Sequence, residues 1–362
     1  RIPPAAVCYT AVEQAKEVGH AGGARFVNAV LRRLARERDQ LEFPDLATDP
    51  VRHIALKYSH PEWLVARWLA RLGPEETIHL CQADNEPGPL TLRTNTVRIS
   101  RNELADYFTE RGFAVGHFLY APEALHLKGA GEVERLPGFA EGLFTVQDES
   151  SMLAAHALAP HPGERVLDAC AGPGGKTTHL AELMGNKGEL KALDVHPHKV
   201  ELIRTAAARL GLGVIHAQAG DARELPASYR EHFDRVLVDA PCSGTGVLRR
   251  RPDLRWHKSP EEIASLPALQ LSILEGAAQA VVPGGSLVYS TCSLEPEENL
   301  DVVTAFLKRN PAFVLDDLTP YLGERLSEPT LRQGFLQLYP HRHQVDGFFL
   351  ARLRRKGGAA PR

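Results

Sequence analysis

Val166-Leu167-Asp168-Ala169-Cys170-Ala171-Gly172-Pro173-Gly174-Gly175-Lys176-Thr177 reads as a buried strand, a glycine-rich turn and the first turn of a helix. Glycines let a backbone come close to a ligand, and a helix N-terminus presents N–H groups without intrahelical partners. The ending Gly175-Lys176-Thr177 mimics a phosphate-binding P-loop, but that motif needs a glycine five positions before Gly175, where Cys170 stands. The P-loop NTPase reading therefore fails at its first residue. From Glu164 to about Lys356 the same strand–turn–helix grammar repeats, with strands expected at Arg165–Asp168, Gly188–Asp194, Val214–Ala217, Phe233–Asp239 and Gly285–Ser290. Helices such as Lys176–Leu183 and Pro197–Leu210 fall between them. This alternation predicts a doubly wound parallel sheet of the α/β class, closed by two strands near Gln337–Tyr339 and Gly347–Leu353.

In such a sheet the residues at the carboxyl ends of strands line the ligand crevice. Asp194 ends the second expected strand, 20 residues after Gly174, where an acidic side chain can accept from ribose hydroxyls. Asp221 follows the third strand and can accept from an adenine amino group. Each Asp alone is equally a helix cap or turn residue, but the three strand ends together indicate a nucleoside cofactor. S-adenosylmethionine fits better than a dinucleotide, because the first turn is not G-x-G-x-x-G. The glycine loop, Asp194 and Asp221 are thus the cofactor residues expected from the strand ends.

Two further strand ends carry Asp239-Ala240-Pro241-Cys242-Ser243-Gly244 and Ser290-Thr291-Cys292-Ser293. A lone cysteine is usually a small buried hydrophobe. Two thiols flanked by turn residues beside a carboxylate suit another role: activating carbon 5 of a pyrimidine. A thiolate that adds to carbon 6 makes carbon 5 nucleophilic toward a sulfonium methyl. The carbon-5 proton then leaves and the thiol is expelled, which a second thiol can assist, while Asp239 holds the ring nitrogen or the exocyclic amine. The residues alone leave open which thiol attacks. Cys8, Cys81 and Cys170 are read as structural.

The 362 residues allow two or three domains, and 43% hydrophobic with 24% charged residues are ordinary values for a soluble protein. No run approaches the roughly 18 apolar residues of a membrane span. A net charge of −3 excludes a wholesale nucleic-acid coat, though not local basic clusters. Five scattered cysteines without a C-x-x-C pair point to reduced thiols, a cytoplasmic location and no zinc site. His196-x-His198 and His341-x-His343 lack a third ligand nearby, so no metal is expected.

Residues 1–72 read as helical, with Phe26, Val27, Val30, Leu31 and Leu34 at helical spacing and Arg25, Arg32, Arg33, Arg36 and Arg38 on other faces. Ser59-x-x-Glu62 has the pattern of a capping box opening a helix that stops at Gly73-Pro74. Residues 73–147 form a small α+β module, with a strand at Leu90–Val97 and a helix capped by Ser100 and Glu103. Residues 148–356 carry the catalytic region and residues 357–362 a tail. The chain begins at Arg1 inside what looks like a helix, so residues upstream are expected. Leu248–Lys258 holds five basic residues against one Asp directly after Cys242. Arg249, Arg250, Arg251, Arg255, Trp256 and Lys258, with Arg32 and Arg33, are the expected RNA contacts.

The segments Asp168–Thr177, Leu193-Asp194, Gly220-Asp221, Asp239–Gly246 and Ser290–Asn299 resemble, in order, the motifs of the Sun/Nop2 family of RNA cytosine-5 methyltransferases. The resemblance covers about residues 139–355. It implies a Rossmann-like class I methyltransferase domain that binds S-adenosylmethionine through Cys170, Ala171, Gly172, Pro173, Gly174, Gly175, Lys176, Asp194, Asp221 and Asp239. It also implies that Cys292 attacks, that Cys242 assists product release, and that Asp239 sits between cofactor and base. Gly22–Arg33 is similar to the last part of a NusB-like helical domain. The order of a partial NusB-like domain, a ferredoxin- or RRM-like module and a methyltransferase resembles bacterial members acting on small-subunit ribosomal RNA. Structured RNA, 16S rRNA or a 30S assembly intermediate, is thus the expected partner. Transfer RNA, another ribosomal site, and a non-catalytic assembly factor are the alternatives. Composition suits a monomer without deciding it.

Overall fold

The computed structural model of the chain describes residues 3–19, 21–37 and 40–357; Arg38 and the expected tail from residue 358 onward lie outside them. Packing divides the chain into two units, Arg1–Pro74 and Glu75–Arg362.

The second unit is built on an eight-stranded sheet. Its parallel centre comprises β5 (Arg165–Asp168), β6 (Glu189–Asp194), β7 (Ile215–Ala219), β8 (Phe233–Asp239) and β9 (Val281–Thr291), in the order β9-β8-β5-β6-β7. The chain runs outward from β5 through β6 and β7, then returns to place β8 on the other side of β5. The order thus reverses between β5 and β8, the point where open α/β sheets bind ligands. Three antiparallel strands finish the edge: β12 (Phe348–Arg355) pairs with β9, and β10 (Phe313–Leu315) and β11 (Phe335–Leu338) pair with β12. Strand side chains alternate between two cores. Val166, Leu237 and Val288 point to one face, among Leu153, Leu180 and Met184. Leu167, Val236, Val238, Leu287 and Tyr289 point to the other, among Ile273, Leu274 and Phe306. Helices α6 (Glu149–Leu158) and α7 (Gly175–Leu183) supply residues to the first face. Helices α10 (Pro260–Ala278) and α11 (Leu300–Arg309) supply the second. Pro197–Leu210 is α8, with the bounds expected, and short helices occupy Leu254–His257 (α9), Thr319–Leu322 (α12) and Pro340–His343 (α13).

The small module is a four-stranded antiparallel sheet in the order β2-β3-β1-β4, from Ala114–Gly116, Ala124–Lys128, Leu90–Thr94 and Phe144–Val146. Its helix α5 (Arg101–Thr109) opens with the expected capping box of Ser100 and Glu103. Strand β1 stops short of Val97 because Asn95 turns the chain: its Oδ1 accepts from Val97 N, and its Nδ2 donates to the carbonyls of Gly142 and Leu210. The Leu210 bond is one of several polar ties to the catalytic sheet's helices. Arg93 on β1 is fully buried and donates to both Glu182 oxygens (2.8 Å each), Thr178 Oγ1 (2.8 Å) and the Gly175 carbonyl (2.6 Å), all on α7. Arg209 on α8 donates to the carbonyls of Phe139 and Phe144. Residues 75–147 and the catalytic region therefore form one packed unit.

In the first unit lie α1 (Pro4–Val18), α2 (Ala21–Glu37), α3 (Pro50–Tyr58) and the start of α4 (Glu62–Asn85). Phe26, Val30 and Leu34 remain exposed along α2, Phe26 by 71%. Ser59 does not open α4. It ends α3 in the left-handed region (φ 57°), with its N–H on the Ala55 carbonyl. The residue before a proline avoids the helical region, so Pro61 takes over the helix start and its carbonyl accepts from Leu64 and Val65. Gly73 (φ 77°, ψ 174°) breaks α4 as expected, but the chain re-enters a helix and continues to Asn85.

Candidate active site

Every turn at the β5 end is set by local chemistry. Gly174 has φ 109°, open to glycine alone at little cost. Gly172 packs so closely that a Cβ would stand 2.4 Å from Asp194 Oδ2 and 2.6 Å from Lys199. Its N–H donates to that same oxygen (3.1 Å), while Asp194 Oδ1 takes the His196 N–H (2.8 Å). Asp168, at the strand end, accepts from Thr177 Oγ1 (2.7 Å), and burial, assisted by the nearby Asp239 charge, raises its carboxyl to about 7. Cys170, Ala171, Gly172, Pro173, Gly175 and Lys176 line a cavity of about 340 Å³ together with Asp168, Asp239, Gln147 and Asp148. Asp194 and Asp221 stand outside that lining. Asp221 is held by Arg223, whose guanidinium donates to both its oxygens (2.6–3.0 Å), and it accepts the Arg223 N–H as well. The pairing holds its carboxyl below the ordinary range.

Strands β8 and β9 run side by side, with Asp239 opposite Ser290, so the loops that follow them start level. Three residues further along β8's exit is Cys242, and two beyond Ser290 is Cys292. Their sulfurs stand 3.3 Å apart, both half-buried. Hydrogen-bond donation by Cys242 pushes the Cys292 thiol below its ordinary value, with Lys176 adding to the effect against burial. The same bond and burial push Cys242 well above it. Lys176 Nζ donates to Asp239 Oδ2 (2.8 Å), and Ser290 Oγ donates to Oδ1 (2.8 Å). Cys170 and Cys81 are pushed up by burial and stay protonated thiols.

Both cysteine loops are tied to one buried carboxylate. Glu298 Oε2 accepts from Ser243 N (2.8 Å) and Gln270 Nε2 (3.0 Å), and Oε1 accepts from Ser243 Oγ (2.5 Å) and Ser293 Oγ (2.7 Å). Ser243 follows Cys242 and Ser293 follows Cys292, so one side chain sets the separation of the two thiols. Asn299 adds a second tie, donating to the Ser293 carbonyl and accepting from Thr291 Oγ1. Gly246 completes the arrangement: its N–H reaches the Cys292 carbonyl (2.9 Å), and a Cβ there would stand 2.2 Å from the Gly347 carbonyl.

The basic loop is only partly a surface. Arg249 and Arg250 both donate to Asp148 and Asp346, and Asp346 N donates to Asp148 Oδ1 (3.0 Å). Arg255 is buried, with Nη1 on Asn85 Oδ1 (2.9 Å) and Nη2 near the Asp84 carbonyl. These three arginines pin the loop against carboxylates and carbonyls distant in sequence. Lys258 pairs with Glu262. Arg251 and Trp256 are exposed, Trp256 by 59%, as are Arg32 and Arg33 on α2, where Arg33 also pairs with Glu37. Of the histidine pairs, His341 bonds Glu76 and His343 meets Glu328. Sequence reasoning missed Glu298, although Ser290–Asn299 had been singled out, because nothing in that motif says which acid turns inward. It missed Asp148 and Asp346 because their arginine partners are 96–102 residues away.

Residues 155–354 match the family described as 16S rRNA methyltransferase RsmB/F, residues 60–134 the ferredoxin-like domain of RsmF/B-like methyltransferases, and residues 1–36 the NusB family. The chain is 46% identical over 359 residues to a probable ribosomal RNA small subunit methyltransferase B of Bacillus subtilis, covering 99% of this chain and 79% of that one. It is 37% identical over 358 residues to the ribosomal RNA small subunit methyltransferase B of Salmonella newport, covering 98% and 79%. A methyltransferase homolog protein from Pyrococcus horikoshii has the same fold with TM-score 0.73 and 32% identity, over 85% of this chain and 99% of that structure. NSun6 from Pyrococcus horikoshii, solved with SFG, superposes with TM-score 0.74 at 24% identity, over 82% and 99%.

Proposed function

The chain belongs to the 16S rRNA methyltransferase RsmB/F family, and from that premise we propose that it methylates carbon 5 of a cytosine in 16S ribosomal RNA through a covalent bond to Cys292. It is an S-adenosylmethionine-dependent RNA methyltransferase. The observation that carries the mechanism is the pair of sulfurs 3.3 Å apart beside Asp239 and Lys176 at the switch point of the sheet.

The glycine turn fits the cofactor. Gly172 leaves no room for a side chain of its own, and α7 begins at Gly175 with its N–H groups at the loop. Asp194, anchored by two backbone N–H groups, keeps lone pairs for ribose hydroxyls. Asp221 must share its carboxylate with Arg223 to reach adenine. When bound, S-adenosylmethionine supplies a methyl group on a sulfonium, which departs as a neutral thioether.

Cys292, its thiol lowered by the bond from Cys242, loses its proton to solvent and attacks as the thiolate. It forms a sulfur–carbon bond at carbon 6 of cytosine, and the electron pair displaced from the carbon 5–carbon 6 double bond becomes nucleophilic at carbon 5. Asp239 accepts a hydrogen bond from the base's edge while Lys176 offsets the charge that builds on the ring. After methylation, a water molecule takes the carbon-5 proton, the electron pair of that C–H bond restores the carbon 5–carbon 6 double bond, and the bond from carbon 6 to Cys292 breaks to expel the thiolate. Cys242, 3.3 Å away, reprotonates or bonds that thiolate and so favours release. A base stacked in a helix hides carbon 6, so the target is flipped or single-stranded. Arg251 and Trp256, exposed in the loop that follows Cys242, are the proposed RNA contacts there, with Arg32 and Arg33 of α2 in the other unit. Reduced cysteines suit a cytoplasmic enzyme.

The test is methyl transfer from labelled S-adenosylmethionine to a 16S transcript, 30S-derived RNA and bulk transfer RNA in parallel, followed by digestion to nucleosides. Label in 5-methylcytosine from the 16S transcript or 30S-derived RNA is expected, and Cys292→Ala is expected to abolish it. Label confined to transfer RNA would overturn the substrate. Cofactor binding without label anywhere would favour a non-catalytic assembly factor.

A further inference from the structure

Three side chains from separate elements converge in the buried seam between the small module and the helices of the catalytic sheet. Glu123 stands just before β3, His156 lies in α6 and His179 in α7. His156 Nε2 is 2.9 and 3.1 Å from the two Glu123 oxygens, and His179 Nε2 is 2.7 Å from Oε1. The two imidazole rings stand nearly edge to face, 5.3 Å between centroids. Glu123 and His179 are buried, at 5% and 1% exposure. Neither ring nitrogen of His179 makes a hydrogen bond, despite the 2.7 Å approach of its Nε2 to the carboxylate. That contact has the proximity of a hydrogen bond without its direction. Two imidazoles aim the same nitrogen at one carboxylate, leaving a buried polar atom without a donor or acceptor role, a situation folded proteins avoid.

We propose that Glu123, His156 and His179 form a site for a divalent transition cation, zinc by its ligand set, that fastens the small module to the helix carrying the cofactor loop. Neutral imidazole nitrogen and carboxylate oxygen are borderline ligands suited to Zn²⁺. Bonds of about 2.0–2.2 Å in a tetrahedron separate ligand atoms by about 3.3 Å. The three ligand atoms already lie within 4.8 Å of one another, so side-chain adjustments that change their separations by at most about 1.5 Å admit the ion. A ligating histidine must be neutral. The neighbouring charges tolerate a cation: Arg93 opposes it, but Arg93 is itself paired with Glu182, and Glu123 supplies a further negative charge. Three protein ligands leave a fourth position for water. The consequence is mechanical. His179 sits four residues into α7 from Gly175, and the Glu123 carbonyl accepts from Thr94 at the end of β1. Sequence inspection missed the site because the three residues share no local spacing.

The probe is Zn²⁺ alone, added to the full chain after stripping with a chelator, with binding followed by calorimetry and metal analysis after dialysis. One retained equivalent is expected, reduced at least 100-fold in affinity by Glu123→Gln or His179→Asn. It should be kept in a Cys242→Ala/Cys292→Ala variant, which removes the competing thiol pair. Cobalt substitution of the unaltered protein supplies a readout that does not depend on how the variants fold. Tetrahedral visible bands without a sulfur-to-cobalt charge-transfer band are expected. Absence of a stoichiometric ion, a sulfur charge-transfer band, or binding that follows the cysteines rather than Glu123 would each overturn the proposal.

Discussion

At the scale of single residues, the two cysteine sulfurs stand 3.3 Å apart, close enough for one thiol to donate a hydrogen bond to the other, and the direction of that bond sets their roles. With Cys242 as donor, Cys292 is stabilised as thiolate and becomes the better nucleophile at neutral pH. Cys242→Ala removes that donor, so the Cys292 pKa rises and adduct formation shifts its alkaline limb upward. Each pKa unit of the shift costs about tenfold in rate well below the limb. The same substitution removes the group that favours release, so the covalent enzyme–RNA species should persist on a denaturing gel. Rapid-quench measurement of adduct formation from pH 6 to 9 checks both effects; an unshifted profile, or no trapped species, sinks the assignment. Cys242, Cys292 and Asp239 were legible in the sequence because each closes a short apolar run, and strand ends face the crevice. The lowering of the Cys292 thiol was not, since it depends on the 3.3 Å approach of Cys242 and on Lys176, which comes from another strand's loop. Nor was the inward turn of Arg249, Arg250 and Arg255, because a basic run looks solvated until its distant carboxylates are known.

Among the elements, β8 and β9 bring the cysteine loops level, but strand register alone does not hold two loops at a fixed separation. Glu298 does, accepting four hydrogen bonds from Ser243, Ser293 and Gln270 in a buried setting. Glu298→Gln keeps the volume but turns an NH₂ group toward donors. Losing one or two charge-assisted bonds costs about 1.5–3 kcal/mol each. The expected outcome is a lower melting temperature and a kcat reduced at least tenfold, while the S-adenosylmethionine dissociation constant changes little, because the glycine loop lies elsewhere. Equal losses in cofactor binding and turnover would mean that Glu298 supports the whole fold rather than the thiol geometry. The parallel strands themselves were readable to within four residues, two of the five without error, since strands buried on both faces are continuous apolar runs bounded by Gly, Pro and Asp. Ser59 shows where local pattern misleads. The capping-box spelling is present, but Pro61 decides where the helix starts, and Ser59 ends the previous one.

For the molecule as a whole, the sequence divides the small module from the catalytic region by composition, yet packing joins them into one unit. The reason is a seam of buried polar groups that no local pattern announces. Arg93 lies within the strand expected at Leu90–Val97, and its guanidinium is fully buried and grips α7 through Glu182, Thr178 and the Gly175 carbonyl. Arg93→Met leaves the Glu182 carboxylate buried without its partner, a change that costs about 3–5 kcal/mol when a buried pair is broken. Burial already raises the Glu182 carboxyl against the pull of Arg93, and loss of the guanidinium raises it further. A carboxyl raised in the folded state contributes stability below its unfolded pKa and loses it as pH rises through the folded value. The variant should therefore be most impaired at pH 8 and should recover part of the loss by pH 5, relative to the unaltered chain. Glu182→Gln in the same background removes the buried charge and should restore stability at pH 8 without restoring the grip on Gly175. Cofactor affinity should then stay reduced in both variants, because the first residue of α7 has lost its anchor. Denaturant unfolding at the two pH values, with calorimetric titration of S-adenosylmethionine, separates these effects. Parallel pH dependence in variant and unaltered chain, or no rescue by Glu182→Gln, would show that the seam is held by packing around Arg93 rather than by its charge.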